Sequence, residues 1–299
     1  MNELSLEEIE KILIETKELG GRKIDITGGE PLIREDVEEI MKLGKKLGYK
    51  IELVTNSALL TKEKLLKFKE IGLDGVAISL DGSTPEKYNQ IRRQCEKIFY
   101  RVIENIKLVK QFGFYTKVNT TVFECNLEDI ENIILLAEEL GADEIGLYYF
   151  TPIGRGNRSK ELSIEPVKWL EFIRSKLKKM KVKIKVSLEF PMIEKENYKE
   201  EYRCIANNEQ SHLQILPNGN VYPCAILASY NKPIANLHEC SIKEIWENKE
   251  LWRRYWLELK KLFKEKGNYC VCFKEAFDVR EYKDHAFVCP LRKFVLEDI

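Results

Sequence analysis

The first 150 residues alternate short apolar runs with longer amphipathic runs, and this rhythm limits the fold more than any other property of the chain. The amphipathic runs have helical spacing, and several of them stop at a glycine, which is typical of a helix end. Strand and helix succeed each other in units of about 25 to 40 residues, which predicts right-handed crossovers and a parallel sheet. The predicted strands are Lys23–Ile26, Lys50–Thr55, Gly75–Leu80, Tyr115–Val122 and Glu144–Phe150.

The rhythm breaks after Phe150. A charged stretch, Glu194–Glu201, is predicted to be a linker between a sheet domain at residues 1–195 and a smaller domain at residues 200–299. The fold class is therefore α/β, with a small, irregular, Cys-rich C-terminal domain. At this point the sheet can be either part of a TIM-like barrel or an open Rossmann-type sheet.

The C-terminal domain carries two further structural signals. The segments His212–Leu216 and Asn220–Tyr222 flank a Pro-Asn-Gly turn, which predicts a β-hairpin. A Trp-rich amphipathic run predicts one long helix over Ile242–Phe263.

Charge and hydropathy exclude several classes of protein. The chain has 299 residues with 49 Lys+Arg and 49 Asp+Glu, so its formal net charge is zero and no bulk attraction to nucleic acid or to a membrane surface is expected. The sequence has no apolar run long enough to span a bilayer, and its first residues are acidic and amphipathic, unlike a secretory signal. We expect a cytoplasmic protein with neither a nucleic-acid nor a membrane partner.

Polar residues follow the predicted strands at the edge where a parallel sheet of this kind binds ligands. Gly28-Gly29-Glu30-Pro31 comes directly after the first strand; the two glycines open the backbone to a ligand, and Glu30 adds a carboxylate. Such an acceptor-rich loop suits an ammonium group. Each candidate taken singly is also an ordinary turn or cap residue, so their order along the chain carries the signal. The further candidates are Thr55, Asn56, Ser79, Asp81, Arg92 and Asn119.

Eight cysteines are present, and most of them fall after residue 200. In a cytoplasmic chain, clustered cysteines indicate metal ligands rather than disulfides. Thiolate-only ligand sets hold zinc or iron–sulfur clusters, and the paired CxxC knuckles typical of zinc are missing, which favours iron–sulfur. The candidate ligands are Cys204, Cys224, Cys270, Cys272 and Cys289, whereas Cys95, Cys125 and Cys240 are interpreted as inert thiols.

In their order along the chain, the rim motifs resemble those of the radical S-adenosylmethionine (SAM) enzymes: strand–GGEP, strand–TN, strand–SLDG, an arginine, and strand–NTTV. The resemblance covers nearly all of the chain and implies a partial (β/α) TIM-like barrel whose first strand is missing. It further implies that Gly28-Gly29-Glu30-Pro31 holds the methionine amino group of SAM. Ser79 and Arg92 would bind the SAM carboxylate, and Asn119 would lie on the ribose side. Arg92 is followed by Arg93, where family members often have glycine.

The tail resembles the SPASM or twitch extension of these enzymes, which holds auxiliary [4Fe–4S] clusters. Cys204, Gly219 and Cys224 follow the spacing C-x14-G-x4-C. Five candidate cysteines imply one auxiliary cluster rather than two, held by Cys204, Cys224, Cys272 and Cys289 with Cys270 as the substitute. The resemblance also implies two kinds of partner: a reductant or electron carrier, and a peptide, tetrapyrrole-like or other small-molecule substrate.

The sequence contains no CxxxCxxC motif, which in this family supplies the three thiolates of the radical-generating cluster. Two explanations stay open. Either the sequence is cut short, so that a full-length form is a radical SAM enzyme and these residues are inactive alone, or the chain is a degenerate homologue that binds a cluster or a partner without turnover. A zinc-stapled barrel of unrelated activity is the remaining alternative.

Overall fold

The computed structural model describes residues 3–93, 95–152, 154–189, 192–197, 212–230, 233–263, 285–287 and 294–296. The chain divides into two compact units. The sheet unit consists of Ser5–Tyr148, Arg174–Leu188 and Phe294–Ile299. The tail unit consists of Met1–Leu4, Tyr149–Ile173 and Glu189–Lys293.

Six strands follow one another across the main sheet in the order in which they occur along the chain. Parallel pairing joins the first four strands in succession, and it also joins the fifth to the sixth. A terminal strand, Phe294–Val295, pairs antiparallel with the sixth. The six strands are β1 (Lys23–Ile26), β2 (Lys50–Thr55), β3 (Gly75–Ser79), β4 (Tyr115–Val122), β5 (Glu144–Tyr149) and β6 (Lys185–Leu188).

This sequential strand order decides between the two arrangements that the sequence left open. A Rossmann-type sheet reverses its strand order at a central switch point, where its ligand binds. The order here runs from β1 to β6 without a reversal. The described strands therefore follow the winding of a barrel-type sheet, in which ligands bind at the carboxyl ends of the strands.

Helices connect the strands, and their ends are set by local side-chain chemistry. Ser5 and Glu8 form a reciprocal capping box at the start of the first helix, while Thr61 and Thr84 cap the third and fourth. The third helix stops at Gly72, which takes the left-handed conformation. The helices of the sheet unit that precede β5 are α1 (Leu6–Glu18), α2 (Val37–Lys46), α3 (Lys62–Ile71), α4 (Pro85–Arg92), α5 (Glu96–Gln111) and α6 (Ile130–Glu139).

The two faces of the main sheet differ in character. One face is apolar and packs against helices; a side chain on Gly44 of α2 would meet Ile51 and Ile24 of the sheet at 2.7 and 3.2 Å. The opposite face carries charged residues near the amino ends of the strands, among them Glu144 and the buried Lys117, whose Oε1 and Nζ atoms lie 2.5 Å apart. The apolar face forms the hydrophobic core, whereas the polar face holds a buried ion pair.

The tail unit is built from short elements. The predicted hairpin is confirmed, because Gln214–Ile215 and Asn220–Tyr222 pair antiparallel and Ala235–Asn236 extends them to three strands. The described elements are α7 (Pro166–Ser175, whose last two residues lie in the sheet unit), β7 (Met192–Glu194), β8 (Gln214–Ile215), β9 (Asn220–Tyr222), β10 (Ala235–Asn236), α8 (Ile242–Glu247), α9 (Lys249–Phe263) and β11 (His285–Phe287).

Two predictions about the tail unit are wrong in detail. The long helix breaks at Asn248, because the side chain of Asn248 accepts a hydrogen bond from Leu251 N and so starts a second helix. The predicted linker begins with Glu194, which instead ends a strand paired with His285–Phe287. Among the described helices, none combines the length and the apolar character needed to cross a membrane.

Candidate functional site

The loop after β1 exposes its backbone. Gly28 has a φ of +143°, which favours glycine, and a Cβ built on Gly28 or Gly29 meets no described atom within 4 Å. The predicted acceptor-rich loop thus faces open space, so a ligand can approach its backbone.

Glu30 joins this loop to the end of β2. Its Oε1 accepts from Thr55 Oγ1 at 2.6 Å and from Leu32 N at 3.2 Å, and its Oε2 accepts from Asn56 N at 2.8 Å. A carboxylate offers about four lone-pair positions, so three bonds leave room for one more donor. The structure therefore brings together the first two predicted motifs and leaves Glu30 able to accept from an ammonium group.

The end of β3 is tied to β4 by Asp81. This buried carboxylate accepts from Thr121 N at 2.8 Å and from Arg92 Nε at 2.5 Å, and the Asp81 carbonyl accepts from Asn126 Nδ2 at 3.0 Å. The next residue must be glycine, because a Cβ on Gly82 would lie 2.3 Å from Tyr88 N. Only glycine lets α4 lie this close to the loop after β3. Burial raises the pKa of Asp81, and Arg92 and the Thr121 N–H act against that rise.

Arg92 is the last residue of α4, and Arg93 caps that helix with a left-handed φ of +50°. Glycine is the usual residue in that conformation. Arg93 therefore has a glycine-like backbone conformation at the position where the radical SAM resemblance predicts glycine, and Arg92 stays a predicted site residue.

Asn119 lies directly opposite Ser79 in the pairing of β3 with β4. Its Oδ1 atom is buried and has no hydrogen-bond partner among the described residues. An orphaned buried acceptor is costly, and a ligand hydroxyl would satisfy it.

Sequence reasoning missed a third carboxylate at this rim, Asp129. It accepts from Ser83 N at 2.7 Å, from Ser83 Oγ at 2.6 Å and from Lys87 Nζ at 2.6 Å. Burial acts to raise its pKa, but the hydrogen bonds from Lys87 and Ser83 outweigh burial and lower it. The available signal was the polar pair Asn126 and Asp129 at the start of a helix otherwise rich in isoleucine and leucine.

In the tail unit, Cys224 is the one predicted metal ligand within the described residues. Its thiol is buried and accepts from Leu227 N at 3.5 Å, as a cluster-bound sulfur commonly does. No group of three potential metal-ligating side chains converges in the part of the chain that the structure describes. The other predicted ligands lie outside the described residues: Cys204, Cys270, Cys272 and Cys289.

Comparison with known protein families gives two matches. Residues 1–137 match the radical SAM superfamily, and residues 204–276 match SPASM, an iron–sulfur cluster-binding domain. An AdoMet-dependent heme synthase of Methanosarcina barkeri is 29% identical over 270 residues, which make up 84% of this chain and 76% of that protein.

Solved structures share the fold. SuiB of Streptococcus suis matches with a TM-score of 0.68 at 16% identity, over 82% of this chain and 60% of SuiB, so the chain spans about 60% of that protein's length. SuiB bound to its precursor peptide SuiA matches with a TM-score of 0.69 at 17% identity, over 83% of this chain and 58% of SuiB. Native anSMEcpe with bound AdoMet matches with a TM-score of 0.61 at 16% identity, over 84% of this chain and 74% of its own. The predicted α/β class, with its parallel sheet of radical SAM type, is confirmed.

Proposed function

Because this chain carries a radical SAM domain and a SPASM iron–sulfur domain, we propose that it acts on a peptide or a tetrapyrrole with SAM and iron–sulfur clusters as cofactors. The observation that carries the proposal is the convergence of open glycine backbone and polar side chains at the carboxyl ends of β1 to β4. When bound to a reduced [4Fe–4S] cluster, SAM supplies one-electron chemistry for hydrogen abstraction. We expect the protein to work in the cytoplasm with a reductant or electron carrier.

The residues present fit SAM. The Gly28–Gly29 backbone and the remaining lone pair of Glu30 suit its ammonium group, and the guanidinium of Arg92 suits its carboxylate. The orphaned Oδ1 of Asn119 suits a ribose hydroxyl. These side chains orient the ligand along the rim, and Thr55 fixes Glu30 in turn.

Of the two substrate classes, the tetrapyrrole has the stronger support. The relative named as a heme synthase aligns over 84% of this chain at 29% identity. SuiB binds a precursor peptide, but at 17% identity its likeness supports the fold alone. Titration of the anaerobic protein with a porphyrin and with an unstructured peptide separates the two classes. Saturable binding of the peptide but not of the porphyrin contradicts the preference for a tetrapyrrole.

A second candidate function is a SAM- and cluster-binding protein without turnover. The observation in its favour is that these 299 residues contain no CxxxCxxC motif. We expect SAM and dithionite to yield 5′-deoxyadenosine at the level of a protein-free control, and a version joined to an upstream CxxxCxxC segment to exceed that level. Production by the 299 residues alone would mean that another cysteine set holds the radical-generating cluster.

SAM binding is tested by two glycine substitutions. Gly29→Ala adds a methyl group in open space, so we expect an unchanged melting temperature and a loss of SAM affinity of about tenfold or more, as measured by anaerobic calorimetry. Gly82→Ala is the matched control: its methyl group meets the α4 backbone, so it lowers stability by about 1–3 kcal/mol. An unchanged SAM affinity in Gly29→Ala contradicts the proposed ligand position.

A further inference from the structure

Asp81 and Arg92 form an ion pair at the rim whose two members differ in exposure. The Asp81 side chain is 2% exposed, whereas that of Arg92 is 32% exposed. Asp81 belongs to the loop that follows β3, and Arg92 ends α4, so the pair fixes the end of this helix against the sheet. An isolated buried carboxylate is unfavourable, and Arg92 supplies its counter-charge.

The contact uses one side of the guanidinium. Arg92 donates through Nε to Asp81 Oδ2 at 2.5 Å. Within the part of the chain that the structure describes, its two Nη groups have no acceptor. A guanidinium held at Nε with both Nη groups available offers the paired donors that a carboxylate accepts.

We propose that Asp81 is a positioning residue for the SAM carboxylate: it holds the Arg92 guanidinium by Nε, so that the Nη groups face the ligand. This inference rests on the proposed function, because it deepens the assignment of the same rim. Asp81 itself touches no ligand. Its second oxygen is occupied by Thr121 N, which ties the end of β3 to β4 independently of Arg92.

Substitution by asparagine separates the two roles of Asp81. Asp81→Asn keeps an oxygen that accepts from Thr121 N, so the tie to β4 survives. The amide nitrogen then takes the place of the oxygen that accepted from Arg92, so two donors face each other and the charge-assisted bond is lost. A purely structural role for Asp81 therefore predicts a small effect that is the same for every ligand, whereas a positioning role predicts an effect specific to a carboxylate.

The test compares SAM with decarboxylated SAM in anaerobic calorimetry. We expect Asp81→Asn and Arg92→Gln each to weaken SAM binding by about tenfold to a hundredfold, the loss typical of a charge-assisted hydrogen bond. The decarboxylated compound should bind all variants within about twofold of wild type. The double variant should bind SAM no more weakly than Arg92→Gln, because Asp81 acts through Arg92. The matched control is Arg93→Gln, which changes the exposed neighbour of Arg92 and should leave both affinities unchanged.

The outcomes separate this inference from the proposed function. If Asp81→Asn weakens both compounds equally, or leaves SAM binding unchanged, Asp81 has no positioning role, while SAM binding by wild type still supports the proposed function. If wild type binds neither compound, both conclusions are overturned. Melting temperatures check that each variant is folded. If Asp81→Asn fails to fold, Arg92→Gln breaks the same ion pair by replacing its more exposed member.

Discussion

At the scale of single residues, Arg93 gives the clearest case of a sequence feature that only geometry explains. Two adjacent arginines are ambiguous in sequence, since either of them can simply be solvated. The structure distinguishes the two: Arg93 has a left-handed φ of +50°, a conformation in which glycine is usual, whereas Arg92 donates to Asp81.

Arg93→Gly should therefore stabilise the protein. An L side chain in the left-handed conformation costs about 1–2 kcal/mol, so relief of that strain is expected to raise the free energy of unfolding by about 1 kcal/mol. Lys97→Gly is the matched control: it places glycine in the exposed first turn of α5, where it should cost up to about 1 kcal/mol. Urea titration measures both variants, and destabilisation by Arg93→Gly contradicts the assigned strain.

The candidate site residues were predictable from sequence to different degrees. Gly28, Glu30 and Asn119 could be found because their types and order follow the strand ends. The pairing of Asp81 with Arg92 could not, because residues eleven positions apart meet only once the length and end of α4 are known. Asp129 was missed for the same reason: its partners lie more than forty positions away.

At the scale of elements, two aspartates make the same pair of contacts, one with a backbone N–H and one with a lysine. Asp74 accepts from Ile51 N and Lys45 Nζ, both at 2.7 Å; Asp143 accepts from Thr116 N at 2.9 Å and from Lys110 Nζ at 2.5 Å. Each aspartate follows a Gly-Leu or Gly-Ala pair. Asp74 ties the start of β2 to α2, and Asp143 ties the start of β4 to α5. These staples fix the amino ends of β2 and β4.

Asp74→Ala tests whether the hydrogen bond from Ile51 N or the ion pair with Lys45 contributes more to stability. It leaves the N–H of the buried Ile51 without an acceptor, so we expect a loss of about 1–3 kcal/mol in the free energy of unfolding. Lys45→Ala removes only a partly exposed ion pair and should cost less than about 1 kcal/mol. Equal losses in urea titrations would mean that the ion pair, and not the backbone bond, carries the effect.

Glu144 links three strands through one carboxylate. It accepts from Lys117 Nζ on β4 at 2.5 Å, and from Ser187 Oγ and Lys185 Nζ on β6 at 2.7 and 2.9 Å. Burial acts to raise the pKa of Glu144, but the hydrogen bonds from Lys117, Lys185 and Ser187 outweigh it and lower the pKa to about 2.

This shift predicts an acid-sensitive contribution to stability. Because the folded pKa lies below the unfolded value of about 4.3, the contribution is complete above that pH and is lost as the pH falls toward about 2. Glu144→Gln should cost about 3–5 kcal/mol at pH 7, since it leaves Lys117 buried without its partner. Urea titrations at pH 6 and pH 3 should show a smaller pH-dependent loss in Glu144→Gln than in wild type. The exposed Glu10→Gln should behave as wild type, and an equal loss in Glu144→Gln contradicts the assignment.

At the scale of the whole molecule, the chain passes from the sheet unit to the tail unit and back more than once. Local patterns predicted β1, β2 and β4 to the residue, because each of them is set by the pattern of its own apolar residues. They could not predict that Phe294–Val295 returns to pair with β6, or that His285–Phe287 pairs with β7. Such pairings join segments about a hundred residues apart, and nothing in a two- or three-residue strand identifies its distant partner.

The last prediction concerns the tail unit and also involves residues that are far apart in the sequence. Cys224 lies just after the β8–β9 hairpin, and the remaining candidate ligands are spread from Cys204 to Cys289. Four thiolates saturate one [4Fe–4S] cluster, whereas five cannot saturate two. We therefore expect about four irons per chain after anaerobic reconstitution, with a broad visible absorption band.

Cys224→Ala should abolish that band and lower the stability of the tail unit, while the main sheet keeps its own unfolding transition, because cluster binding is coupled to the folding of the segments that supply its ligands. The matched control is Cys240→Ala. Its half-exposed thiol donates to Asn236 O at 3.5 Å, so this variant should keep the full iron content. Stoichiometric zinc without iron, or a cluster that survives the loss of both Cys204 and Cys224, would show that the tail cysteines do not form the predicted site. About eight irons per chain would require ligands beyond these five cysteines, since two clusters need more thiolates than this tail contains.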